Sequence, residues 1–388
     1  MMKDTEVLFA LLRAGLTGEP VSAEVQAACT EEILEKVYNY ARQHGVVPIV
    51  GQALSKMQVQ DCEVVDDFKK ATFMAVYRYG QIKFEYERIC KVLEEDQIPF
   101  IPLKGAVIRN HYPEPWLRTS GDVDILVKEE DLDRAVDLLV SKLQYHSHGR
   151  AEHDVSLTGA NCFLLELHFT LLQTPGKAKN ILDKVWDDAK PIAPRHCQHV
   201  LSNEMFCFYH LAHMAKHVQI GGSGIRSFVD LWIMGQKIQF DTEKLKALLE
   251  KGDRLAFARA AGKLVDYWFN GEKPDQWTKY LETYILSGKM FGSNENRVLI
   301  KQKVYGGGIR YILGRIFLPY EQLKESFPIL KKYKWLTPIY HVVRWIRLIS
   351  MGRFLRSAHE LSVGSKITDE TRDNTYSLIE HLGLEFKY

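Results

Sequence analysis

Six consecutive residues, Asp122-Val-Asp124-Ile-Leu-Val127, constrain this chain more than any other stretch. The β-prone apolar residues between and after the two acids mark a strand buried in a core. Alternate residues of a strand share a face, so the run sets two carboxylates side by side at the mouth of that core. Such charges repel each other and are costly to desolvate unless something positive lies between them. Magnesium, which prefers carboxylate oxygens together with substrate phosphates, is the natural guest.

Upstream, Gln97-Ile-Pro-Phe-Ile-Pro-Leu103 reads as another strand, ending at Lys104-Gly105 where a helix opens with Ala106-Val-Ile-Arg109. Strand, glycine turn and helix together make an anion site. Gly105 lets the backbone approach a phosphate, and the free amides and dipole of the helix start favour negative charge. Lys104 and Arg118 add fixed positive charge suited to a triphosphate. A third acid, Glu166, lies in Cys162-Phe-Leu-Leu-Glu-Leu-His168-Phe, among apolar neighbours that normally exclude it unless a cation or metal is its partner. With His153-Asp-Val-Ser-Leu-Thr158 and the turn Gly159-Ala-Asn161, this run predicts a β-hairpin that brings Glu166 alongside the aspartates. His168, two residues on, faces the same site, either to orient the glutamate or to act itself.

This ordered set resembles the nucleotidyltransferase superfamily that includes DNA polymerase beta. Within it the chain is most similar to the bacterial uncharacterised nucleotidyltransferase-like family, and more distantly to the lincosamide and aminoglycoside nucleotidyltransferases. The matching pieces are Leu103-Lys104-Gly105, Arg118, Gly121-Asp122-Val-Asp124-Ile-Leu-Val127 and Leu165-Glu166-Leu-His168. Leu211 to His217, Gly224 to Asp230 and the basic Pro319 to Arg347 region also look like that family, so the resemblance covers about residues 70 to 350. Where the superfamily commonly has Gly-Ser or Gly-Gly at the glycine turn, this chain has Gly105-Ala106, which lacks the serine hydroxyl.

The resemblance implies a two-metal mechanism with Mg2+ or Mn2+ held by Asp122, Asp124 and Glu166. An acceptor hydroxyl attacks the α-phosphorus of a nucleoside triphosphate, pyrophosphate leaves, and Glu166 also draws off the hydroxyl proton. Lys104, Gly105, Arg118, Ser120, Gly121, Lys216 and His217 are the implied nucleotide-binding set. No covalent nucleophile is required.

Composition agrees with an intracellular enzyme. The 388 residues are 46% hydrophobic and 26% charged, enough for a large core in two or three domains, and the net charge of +2 demands no nucleic acid. Cys29, Cys62, Cys90, Cys162, Cys197 and Cys207 show neither a Cys-x-x-Cys pair nor zinc spacing, and read as reduced thiols. Neither a signal-peptide pattern nor a spanning apolar run occurs, so cytoplasm is the expected compartment.

The expected fold is α+β: a small mixed sheet flanked by N-terminal helices and a helical C-terminal domain. The boundaries are residues 1–65 for an N-terminal helical region, 66–200 for the nucleotidyltransferase core and 201–388 for the C-terminal domain. A long amphipathic helix is expected from Asp66 to Glu95, with Ala75, Tyr79, Ile82, Tyr86, Ile89 and Leu93 on one stripe, and another helix from Glu130 to Leu143. The cleft is expected between the sheet and the C-terminal helices.

Those later helices carry further candidates. His210, His213 and His217 lie along neighbouring turns without completing a zinc set, and Lys216 or His217 is the better match to phosphates or acceptor. Gly221-Gly-Ser-Gly224 reads as a helix connection, Gly306-Gly-Gly308 as a plain turn, and Arg226 and Asp230 stand at helical spacing, either to pair with each other or to serve the site. From Lys301 to Arg356 basic residues outnumber acids and interleave with aromatics at Lys331-Lys-Tyr-Lys-Trp335 and His341-Val-Val-Arg-Trp-Ile-Arg347. The favoured arrangement there is a helix whose Trp and Ile pack inward while its arginines stay solvated; RNA backbone or an anionic membrane are the alternative partners. Three readings follow: transfer to a small-molecule or protein hydroxyl, transfer to RNA ends as the less favoured one, or a non-catalytic nucleotide-binding scaffold.

Overall fold

In the computed structural model, which describes residues 2–160, 163–290, 292–350 and 367–386, Asp122 to Val127 is a central strand with its two faces put to different uses. Asn161 and Cys162 of the expected hairpin, and the end of the basic stretch beyond 350, lie outside the described residues. Among those described, the main sheet runs β1 (Phe100–Pro102), β2 (Asp122–Val127), β5 (Leu164–His168), β4 (Asp154–Thr158), β3 (His146–Arg150) in spatial order. The β2–β5 pair is parallel and the others antiparallel, giving the mixed sheet of an α+β fold.

The odd-numbered residues of β2, Val123, Ile125 and Val127, enter the core with Leu165 and Leu167 of β5 and Val155 and Leu157 of β4. Two helices close that face: α5 (Glu63–Glu95) through Ile82, Ile89 and Leu93, and α7 (Leu132–Leu143) through Leu132, Ala135 and Leu139. Ala75 and Tyr79 of the expected stripe are only half-buried, and Phe73, Tyr77 and Phe84 on the same helix are exposed. The even-numbered acids are left for the opposite face.

The N-terminal helices α1 (Asp4–Thr17), α2 (Ala23–Ala28), α3 (Glu31–His44) and α4 (Val47–Leu54) precede α5. Helices α1 and α4 touch at Gly15, where a Cβ would meet the Ile49 carbonyl oxygen at 2.0 Å, so this position demands glycine. After β1 comes α6 (Gly105–Ile108), and after β5 come α8 (Lys177–Leu182), α9 (Val185–Asp188) and a two-stranded ladder, Lys190–Pro191 with His199–Val200.

Beyond the sheet the chain is helical: α10 (Asn203–Gln219), α11 (Ile225–Lys237), α12 (Thr242–Lys251), α13 (Leu255–Val265) and α14 (Gln276–Leu286). Next come α15 (Asn294–Val304), α16 (Gly308–Ile316), α17 (Tyr320–Ser326), α18 (Thr337–Ser350) and a helix over Asp369–His381. Two compact units result: Met1–Ala215 with Gly224–Thr278, which holds the sheet, and Lys216–Ser223 with Lys279–Tyr388. In the second, the Tyr284 hydroxyl donates to the Val218 carbonyl at 2.8 Å, and Leu299, Tyr311, Leu323 and Leu378 are buried.

The expected strand from Gln97 to Leu103 is shorter, because Gln97 takes a φ of 54° and turns the chain before Phe100. Strand β3 was not expected at all; its residues are polar and mostly exposed, so the alternation that marks a half-buried strand is missing. Cys29, Cys62, Cys90, Cys197 and Cys207 are free thiols. Among the described residues no helix is long and apolar enough to cross a membrane.

The core assignment has a direct test. Ile125 is fully buried between sheet and helices, so Ile125→Ala lowers unfolding stability by about 2–5 kcal/mol. Denaturant titration reads this as a lower midpoint, whereas Phe84→Ala, at a side chain 60% exposed, leaves the midpoint nearly unchanged.

Candidate functional site

Parallel pairing of β2 with β5 sets Asp124 opposite Glu166 and Leu126 opposite His168, so the hairpin delivers its acid to the aspartates as expected. Asp122 follows the same face two residues earlier. Asp124 is 5% exposed, and two nitrogens meet its Oδ1: Lys104 Nζ at 2.8 Å and His168 Nε2 at 2.9 Å. The same His168 nitrogen lies 3.5 Å from Glu166 Oε2. One ligand atom each from Asp124, Glu166 and His168 lies within 4.8 Å of the others.

The electrostatics follow from this crowding. Burial disfavours the charged form of Asp124, but Lys104 and His168 outweigh it and hold the carboxyl below the ordinary range. At Asp122 burial and the neighbouring Asp124 and Glu166 charges act together and raise the carboxyl. His168 is pulled down by burial, yet its hydrogen bonds to Asp124 and Glu166 win and raise it. Lys104 is likewise raised: desolvation is outweighed by Tyr209 of α10 and the Asp124 and Glu166 carboxylates. Asp122 is therefore the acid whose protonation burial and its two acidic neighbours favour.

The glycine turn differs from the expected anion cradle. Helix α6 is a single turn that passes into a 3₁₀ turn at Arg109–His111, so its dipole is weak. Lys104, the residue before it, holds φ 40° and ψ −113°, a strained backbone for a side-chain-bearing residue, and the bond to Asp124 fixes that ammonium. Gly105 is required by the protein itself: a Cβ there would lie 2.4 Å from Arg118 Nη1. Its carbonyl accepts from Arg109 Nε at 2.6 Å, and Arg109 Nη2 donates to Ser120 Oγ at 2.9 Å. Ser120 Oγ in turn donates to the Asp122 carbonyl at 2.8 Å, which locks the loop into β2.

Arg118, read from the sequence as fixed positive charge for a triphosphate, is committed to a buried carboxylate. Its Nε and Nη2 donate to Asp230 Oδ1 and Oδ2 at 2.9 and 2.8 Å, and both side chains are buried. Tyr112 adds a hydroxyl donor to Asp230 at 2.6 Å. Asp230 is thus paired with Arg118 rather than with Arg226, while Arg226 Nη1 donates to the Thr119 carbonyl at 2.8 Å. Helix α11 braces the loop before β2 by both contacts. Sequence spacing drew attention to Asp230 but named the wrong partner, since the real one lies 112 residues away.

His210 meets the Ser227 carbonyl at 3.0 Å, and among the described residues the histidines of α10 join no three-ligand group. Ala106 lies in the single turn of α6, and Gly121 immediately precedes β2. The cluster is drawn from the first unit alone; Lys216 and His217 belong to the second. Tyr209, buried beside Lys104, is a site residue that the sequence offered no signal for beyond a helical stripe.

The model of a family described as uncharacterised nucleotidyltransferases matches residues 31–270. No curated protein matches. Among solved structures, the solution structure of the antibiotic-resistance factor ANT(2'')-Ia is similar over 47% of this chain and 94% of that one, at 14% identity and a TM-score of 0.32. A likeness that distant carries no argument.

The brace predicts a pH dependence. Burial pushes the Asp230 carboxyl up, but the Arg118 guanidinium outweighs it and holds the carboxyl below the ordinary range. Stability from this pair is present above the unfolded carboxylate pKa of about 3.9 and is lost as pH falls through the lower folded value. Asp230→Asn costs about 3–5 kcal/mol at neutral pH by stranding a buried guanidinium. Stability measured against pH then shows the gap between wild type and variant narrowing in acid; a gap independent of pH contradicts the pairing.

Proposed function

This chain belongs to the uncharacterised nucleotidyltransferase family, and from that premise we propose that it moves a nucleoside monophosphate from a nucleoside triphosphate to an acceptor hydroxyl. The acceptor is a small molecule or a protein, and pyrophosphate is released. The observation that supports this best is the β2–β5 register, with Asp124 opposite Glu166 and Asp122 two residues away on the same face. We place the family within the superfamily of DNA polymerase beta, as a bacterial, cytoplasmic branch.

The donor set fits magnesium or manganese. Carboxylate oxygens are the ligands such hard cations take, and the raised Asp122 carboxyl marks charge that a divalent cation relieves. When bound, the cation supplies charge neutralisation of the phosphates and a more acidic acceptor hydroxyl. Asp122 and Asp124 would hold it, with Glu166 as the third ligand. Histidine 168 positions both acids through Nε2. Glu166, with 28% of its side chain exposed, is the open acid that accepts the proton of the attacking hydroxyl.

In the transfer, a bond forms between the acceptor oxygen and the α-phosphorus while the bond from that phosphorus to the bridging oxygen breaks. Pyrophosphate departs with the bonding electron pair. Lys104 brings its ammonium to the same carboxylate and meets the negative charge of the triphosphate, and the Gly105, Ser120 and Gly121 backbone shapes the loop around it. Arg118 contributes by holding that loop rather than by touching phosphate.

Purified protein given magnesium, α-labelled nucleotides and acceptor fractions is expected to release pyrophosphate and label an acceptor. Chelation of the metal stops the release. Asp122→Asn and Asp124→Asn each abolish it while leaving the fold intact by circular dichroism. Asn variants as active as wild type would refute the assignment.

A further inference from the structure

Between Glu325 and Glu360 the chain has no acidic residue and seven Lys and Arg residues. In α18, within this stretch, Trp345 packs inward and Arg347 stays exposed as expected, but Ile339 and Ile346 turn outward and Arg344 turns in. The inner side of the helix is the polar and aromatic one: Trp345 Nε1 and Arg344 Nη1 donate to the Ile316 carbonyl at 2.9 and 3.2 Å, and the His341 and Trp345 rings lie against Phe317. Its outer side is aliphatic. Ile339, Val342, Val343 and Ile346 are 53%, 48%, 39% and 63% exposed, and their spacing puts them on one stripe.

Trp335, just before the helix, is 73% exposed. Lys331, Lys332 and Lys334 are exposed in the same turn, and Arg347 is exposed beside Ile346 on the helix. Scattered apolar side chains on a surface need no explanation, but an aliphatic stripe rimmed by cations does.

The chemistry of the face selects its partner. RNA would use the cations and the aromatic rings, but gains nothing from isoleucine and valine, because bases stack on aromatic side chains. A second copy would bring its own cations against these. A bilayer with anionic headgroups takes both parts, with aliphatic side chains among the acyl chains, lysines at the phosphates and tryptophan at the boundary. We propose that this face of the second unit is a peripheral docking surface for membranes that contain anionic phospholipid.

Flotation of the full chain with vesicles tests it. The protein rises with phosphatidylcholine mixed with phosphatidylglycerol and stays behind with phosphatidylcholine alone. Replacing Lys331, Lys332 and Lys334 by alanine lowers partitioning about fivefold per lysine. Ile339→Ser with Ile346→Ser lowers it at unchanged charge, and Ile346→Trp, which keeps the stripe apolar, raises it. Three results overturn the proposal: no flotation with the anionic vesicles, partitioning indifferent to the serine variant, or capture of single-stranded RNA that outcompetes vesicles and ignores the isoleucines. Thermal melts that match wild type show that these surface variants keep the fold.

Discussion

Asp124 lies in an interior strand of the sheet with almost no access to water, and a carboxylate in that position stays ionised only where positive charge or hydrogen-bond donors reach it. Lys104 and His168 do so from opposite directions, one from the turn after β1 and the other from the end of β5. The positive φ of Lys104, a strain of about 1–3 kcal/mol, is sustained because that backbone aims the ammonium at Asp124. The parallel register of β2 and β5 then adds Glu166 to the same neighbourhood, where burial and its acidic neighbours raise the Asp122 carboxyl. The turn conformation at Lys104 and the crowding of acids on this face thus meet at one buried charge.

A second buried pair keeps the loop around this charge in place. Arg118 and Asp230 close a bidentate contact, with Tyr112 on the same carboxylate, and Gly105 leaves room for the guanidinium. Helix α11 is therefore tied to the turn after β1 and to the loop before β2. Through Arg109 and Ser120 the same network ends on the carbonyl of Asp122. Arg118, which suggests phosphate binding in the sequence, is in this fold a member of the wall.

What could be read from the sequence followed how local the signal was. Strand β2 was legible to the residue, because its apolar run and paired acids lie within six positions. The approach of Glu166 was legible because a hairpin leaves few other placements. The partner of Arg118 was not, since a contact 112 residues long leaves no local pattern. Strand β3 was hidden by its polar residues. In α18 periodicity correctly marked a helix, and Trp345 packs inward, but Ile339 and Ile346 face outward, because periodicity alone does not say which apolar residues find a neighbour.

The central claim is that the charge gathered by Asp122, Asp124 and Glu166 exists to hold a divalent cation against a nucleotide. Manganese anomalous scattering from crystals grown with a non-hydrolysable nucleoside triphosphate measures it most directly. The account predicts an anomalous peak bounded by oxygens of those three carboxylates, with the α-phosphate beside it. Crystals with nucleotide bound and manganese located elsewhere, or with these carboxylates contacting only Lys104 and His168, would contradict it.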